Sequence, residues 1–173
     1  MARSIERNNV HFPYLLLTVL ILVLPHLFER DLHLSFEYPR NIRFSCNKCG
    51  LCCGNTSQKV RHVLLLDSDV RRIVSETKQD AKTFAISTEH KRFRFEMLKN
   101  AQGKCVFLRE GQCVIYEVRP LICRFYPFEL KFELSKETHV FSFTLECPAI
   151  NQGKVLSQKD FKKLFELAQE RLG

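Results

Sequence analysis

The sequence predicts an α+β fold, a small cysteine-rich metal-binding domain with antiparallel hairpins and two or more helices, preceded by an N-terminal hydrophobic helix. Three observations carry this prediction. Four of the eight cysteines fall in Cys46-x-x-Cys49-x-x-Cys52-Cys53, a spacing that gathers thiolates rather than pairing them as disulfides. Two segments near residues 128–134 and 141–145 alternate apolar and polar residues as half-buried strands do. The C-terminal segment places Phe161, Leu164, Phe165, Ala168 and Leu172 on one helical face.

In chain order, residues 1–11 form a basic flank with Arg3 and Arg7, and residues 12–28 read FPYLLLTVLILVLPHLF without a charge. At ~1.5 Å per helical residue this run is just sufficient for a bilayer core. It is expected to be an uncleaved transmembrane anchor rather than a signal sequence, because Pro25 and His26 stand where cleavage would fall and Glu29, Arg30 and Asp31 follow at once. The membrane is then a partner through 12–28. Residues 29–43 read as a linker, and 44–173 as the cysteine-cluster domain.

Within that domain, Val60 to Leu66 is apolar and β-prone, and Asp67 or Ser68 can cap a helix with Val70, Ile73, Val74 and Thr77 on one face. Phe93 to Leu98 reads as a strand. Val106 to Leu108 and Val114 to Tyr116 read as a hairpin turning at 109–112, with Cys105 and Cys113 flanking it. Phe128, Leu130, Phe132 and Leu134 face one way, as do Phe141, Phe143 and Leu145, and this is the clearest antiparallel hairpin. Period-two counting continues to Cys147 and turns its sulfur toward the core. Ser157 caps the last helix.

Composition supports a folded chain. Hydrophobic residues make up 45%, with 15 Phe against only 6 Gly and 6 Pro, which argues against long disordered stretches. The formal charge of +8 comes from dispersed cations rather than one tract, so nucleic acid is disfavoured as a partner.

The candidate metal ligands are Cys46, Cys49, Cys52, Cys53, Cys105, Cys113, Cys123 and Cys147. Vicinal side chains point different ways in most backbone conformations, so Cys52 and Cys53 can serve two adjacent centres. Eight thiolates divide into two tetrahedral zinc sites, two clusters, or one site and a spare set, and spacing alone leaves that partition open. The triplet Cys46, Cys49, Cys52 with a remote Cys147-Pro148 has the pattern of bacterial ferredoxins and tilts the choice toward iron. None of the six histidines lies inside these motifs. Arg119 and Arg124 flank Cys123, either to offset thiolate charge or to pair with Glu117 or Glu129. Phe125, Tyr126, Pro127 and Phe128 would wall the centre from water.

The blocks Cys46-Asn-Lys-Cys49-Gly50-Leu-Cys52-Cys53, Gly103-Lys-Cys105-Val-Phe107-Leu108, Gly111-Gln-Cys113-Val-Ile115-Tyr116 and Arg119-Pro120-Leu-Ile-Cys123-Arg124-Phe-Tyr-Pro127 resemble the YkgJ-type cysteine-cluster family, the CxxCxxCC zinc- or iron-chelating domain. The resemblance spans Cys46 to Cys147 and implies that all eight cysteines chelate an iron–sulfur cluster or zinc. The apolar run at 12–28 lies outside it.

The expected function is metal binding, with an iron–sulfur centre assisting electron transfer or an unidentified protein partner at the membrane. A purely structural zinc module is one alternative. Another is an iron–sulfur-dependent protein-modifying enzyme such as the lysine methyltransferase linked to some relatives, but no G-x-G-x-x-G run or nucleophile–base pair marks a catalytic site. Free thiols place the soluble domain on the cytoplasmic side, where cysteines stay reduced.

Overall fold

The computed structural model describes residues 35–57 and 59–173. Short strands and three helices alternate along them: β1 (Phe36–Glu37), β2 (Arg43–Phe44), β3 (Leu64–Leu65), α1 (Asp67–Thr77), β4 (Ala85–Ser87), β5 (Phe95–Met97), β6 (Leu108–Arg109), β7 (Gln112–Cys113), α2 (Leu121–Phe125), β8 (Phe128–Glu133), β9 (Thr138–Phe143), β10 (Ile150–Val155) and α3 (Gln158–Leu172). Mixed strands and helices fit the expected α+β class. One part of that expectation is corrected. Among the described residues no helix is long and apolar enough to cross a membrane, and the stretch at 12–28 that was to supply a hydrophobic helix lies outside them. The described residues therefore form a mixed α+β domain in which no helix is of that kind.

The predicted hairpin is present as β8–β9, with Phe128 opposite Phe143, Leu130 opposite Phe141 and Phe132 opposite His139. Its inner face is buried only toward the Phe128 and Phe141 end, since Leu134 is 82% exposed and Leu145 is 76% exposed. Alternation therefore does not carry Cys147 inward. The strand stops at Phe143, and Cys147 is buried by the following turn, which the Ile150 N–H closes onto the Cys147 carbonyl at 3.1 Å.

Residues read as linker contribute to the domain. β1 pairs in parallel with β9, β2 pairs with β10, and Ile42 is buried. The hairpin at 109–112 is tighter than expected: β6 and β7 pair Leu108 with Cys113, leaving Glu110 and Gly111 as a two-residue turn with φ of 50° and 77°. Positive φ at both positions is the turn whose twist matches a β-ribbon, and glycine meets it without strain.

Two hydrophobic cores result. The first is aromatic, built from Phe125, Phe128, Phe141, Phe161 and Phe165 with Ile42, Leu66, Leu121 and Cys147. Phe161 is its centre, its ring 5.0–5.1 Å from those of Tyr38, Phe128 and Phe141. The α3 stripe is seated here as predicted, with Phe161, Phe165 and Ala168 buried. The second core gathers Val63, Leu65, Val70, Ile73, Phe84, Met97, Cys105, Phe107 and Ile115 around the three-stranded sheet β3-β5-β4.

Candidate metal centre

All eight cysteines line a single cavity of about 120 Å³ between the loops, together with Tyr116, Arg119, Arg124 and Tyr126. All eight are free thiols. Cys105 and Cys147 are buried, Cys52, Cys53, Cys113 and Cys123 are half-buried, and Cys46 and Cys49 are exposed. Among the described residues no group of three or more His, Cys, Asp or Glu side chains stands close enough to hold one metal ion. The thiols share a cavity without closing on a point.

Local backbone explains how distant cysteines reach this cavity. Gly50 and Gly54 bracket a single 3₁₀ turn, Leu51–Cys53, that presents Cys52 and Cys53. Their sulfurs lie 3.9 Å apart, in contact rather than pointing different ways as expected. The Cys105 N–H donates to the Cys53 carbonyl at 2.6 Å, and Gly54 bridges Lys104 alongside. Gly54 permits this approach, because a Cβ there would stand 2.8 Å from the Gly103 carbonyl oxygen and 2.9 Å from the Lys104 Cα. Cys113 comes from β7, Cys123 from α2, and Cys147 from the turn after β9.

The cavity is electrostatically tuned for sulfur. Burial raises the Cys105, Cys113 and Cys147 thiols, and the backbone amides of Phe107 and Leu108, of Ile115 and of Ala149 respectively act against that rise. Amide N–H groups near sulfur favour the thiolate once a cation is present to offset burial. Cys123 is held far above its ordinary value by burial and by Cys52, Cys105 and Cys113. Cys52 moves the other way, from 9.0 to about 7, chiefly through the hydrogen bond it shares with Cys53, with Arg61 and Arg119 adding positive charge. The same hydrogen bond, with burial, drives the Cys53 thiol up.

Neither arginine beside Cys123 pairs with a carboxylate of Glu117 or Glu129. Arg119 donates to the Tyr116 carbonyl at 2.7 Å and stacks on the Tyr116 ring at 3.9 Å. Arg124 donates to the carbonyls of Arg119 and Glu117, while Glu129 pairs with Lys131. Both guanidiniums line the cavity with the thiols, which favours the charge-offsetting role. Of the expected wall, Tyr126 lines the cavity, whereas Phe125 and Phe128 belong to the first core. No described histidine reaches it.

Sequence reasoning missed Asp69 and Arg61. Asp69 is fully buried and accepts from the Leu66 N–H at 3.1 Å, the Leu121 N–H at 3.2 and 3.3 Å, and Arg72 at 2.9 Å. It ties the start of α1 to the start of α2, and so fixes the helix that carries Cys123. An acid at the third helical position resembles any capping residue, and nothing in the sequence signals its second partner. Arg61 reaches Glu146 at 2.6 Å and lies over the Tyr126 ring at 5.3 Å, which holds the 60s segment against the Cys147 turn.

Comparison with known proteins supplies the family. Residues 45–148 match the CxxCxxCC model, described as "Putative zinc- or iron-chelating domain". An uncharacterized protein of Methanocaldococcus jannaschii is 29% identical over 143 residues, covering 79% of this chain and 74% of its own length. No solved structure matches. The matched span runs from the residue before Cys46 to the residue after Cys147, so it contains every cysteine that lines the cavity, and the chain belongs to the CxxCxxCC family of zinc- or iron-chelating domains.

Proposed function

We propose that Cys46, Cys49, Cys52, Cys53, Cys105, Cys113, Cys123 and Cys147 are the metal ligands of an all-thiolate centre. The observation that carries this reading is that eight free thiols spread over a hundred residues of sequence line one small cavity. The donor set fits a thiophilic metal: sulfur with backbone amides near it, flanking guanidiniums, and no described histidine in the cavity. A bound zinc or iron would supply the positive charge that lets buried thiols ionise.

Iron–sulfur is the form the ligands favour, because the ferredoxin-like triplet and Cys147-Pro148 border the same cavity. The role that follows is electron transfer, or cluster-dependent assistance to a protein partner, on the reducing cytoplasmic side where eight thiols stay available. Arg119 and Arg124 line the cavity with Tyr116 and Tyr126, and the two guanidiniums offset thiolate charge there.

Anaerobic purification with iron supplied, followed by elemental analysis and a visible spectrum, tests the reading. A brown protein with a broad band near ~400 nm that bleaches on reduction supports the redox form. A colourless protein holding stoichiometric zinc replaces it with a structural module, since four thiolates leave zinc no open position. Neither metal at about one equivalent would overturn metal binding itself.

A further inference from the structure

The eight cysteines do not sit alike in the fold. Cys105 is part of the second core, and the only other cysteines packed against that core are Cys53, Cys113 and Cys123. Cys147 belongs to the first core, Cys46 and Cys49 are exposed, and Cys52 packs into neither core. Backbone contacts join three of these four. Cys53 is tied to Cys105 by the 2.6 Å hydrogen bond, and the hairpin that carries Cys113 turns back onto the segment after Cys105 through Val114 N–H to the Phe107 carbonyl at 3.0 Å.

We propose, resting on the metal-binding reading above, that the cavity holds two adjoining four-cysteine centres: an inner one ligated by Cys53, Cys105, Cys113 and Cys123, and an outer one ligated by Cys46, Cys49, Cys52 and Cys147. Cys52 stands at the seam between the two groups, its sulfur 3.9 Å from that of Cys53. It falls to the outer centre because Cys53, not Cys52, packs into the second core and shares backbone with Cys105. The outer set is then the ferredoxin-like triplet with its remote Cys-Pro.

The two centres differ in access. Inner ligands are buried or half-buried on core elements, whereas two outer ligands are exposed on the 45–50 loop, outside regular structure. A chelator therefore reaches the outer metal first, and the inner metal leaves only when the second core opens.

The deciding experiment compares Cys52→Ser with Cys53→Ser in the full-length chain, reduced, loaded anaerobically with Zn²⁺ alone, and counted by native mass spectrometry during release to EDTA. Wild type is expected to hold two equivalents released in two phases. Cys52→Ser should keep one equivalent, the slow one, and Cys53→Ser should keep one, the fast one. Should Cys53→Ser fail to fold, the double variant Cys46→Ser/Cys49→Ser decides against Cys52→Ser: both must lose the same fast equivalent and no more. Loss of the same equivalent in Cys52→Ser and Cys53→Ser overturns the partition. That result would place both sulfurs on one edge of a single tetrahedron, whose S···S length is about 3.8 Å for Zn–S bonds of about 2.3 Å. Two equivalents in wild type with both lost from Cys52→Ser also overturns it while leaving metal binding intact. No zinc uptake by wild type overturns the metal reading instead.

Discussion

At the scale of single residues, Asp69 ties the start of α1 to the start of α2, the helix that carries Cys123. A buried carboxylate is tolerated only when its lone pairs are filled and its charge is met, and Asp69 has two backbone N–H groups and Arg72 for that purpose, with Arg171 at 3.9 Å. Asp69→Asn keeps the size but replaces one acceptor with a donor facing N–H groups, and it leaves Arg72 without its counter-charge. A loss of about 3 kcal/mol is expected, toward the lower end for a broken buried pair because Arg72 retains some solvent contact. Urea denaturation of the two proteins measures it. A loss below about 1 kcal/mol would show that α1 and α2 are held by apolar packing alone. Nothing local reveals such a residue in advance, because Asp69 and Leu121 meet across 52 positions of sequence.

Elements were legible in proportion to how many residues repeat their pattern. α3 and the β8–β9 hairpin each carry several turns or pleats of consistent periodicity; α3 stands where the pattern put it, and the hairpin is present with its second strand at Thr138–Phe143 rather than at 141–145. β1 and β2 are two residues each and exist only through partners about a hundred positions away, so their own composition reads as linker. The end of α3 that faces the cores is set by its capping box. Asp160 accepts from the Ser157 N–H at 2.9 Å and the Ser157 hydroxyl at 2.8 Å, and pairs with Lys154 at 3.0 Å. These contacts, the backbone bond first, lower its carboxyl from 3.8 to about 2. A folded-state value below the unfolded one stabilises above the unfolded value and is lost as pH falls through the folded one. Asp160→Ala should therefore cost about 1 kcal/mol at neutral pH. That difference from wild type should close between pH 3.8 and about 2, as followed by urea midpoints across that range. A difference that persists unchanged at pH 2 would assign the effect to helix propensity rather than to the charged cap.

For the molecule as a whole, the two cores have unequal means of support. The first rests on aromatic rings packed mostly tilted or edge-on and on the longest strands, while the second assembles strands of two or three residues around four thiols. Structural zinc in a thiolate site contributes ~10 kcal/mol or more of apparent folding free energy, so on the proposed metal reading the second core would depend on metal more than the first. Hydrogen exchange after metal removal under reducing conditions should rise most in β3, α1 and β4 to β7, and least in β8, β9 and α3. A uniform rise would mean that the cores open as one unit. The gathering of all eight cysteines was implied by the resemblance to the family's motifs; which sulfur faces which core was not readable, because that depends on packing between segments far apart in sequence.

The chain positions of the sulfurs give the proposed centres a direction in time. Synthesis runs from the N-terminus, so the inner ligands are all present once Cys123 has emerged, whereas the outer triplet, though made first, waits for Cys147. Closing a longer loop costs more chain entropy, if slowly, which delays the outer centre in refolding as well. The nascent protein can thus secure the metal that organises its second core before the exposed centre is able to close, and a ribosome stalled between those two cysteines would display a chain with one centre filled and three sulfurs waiting.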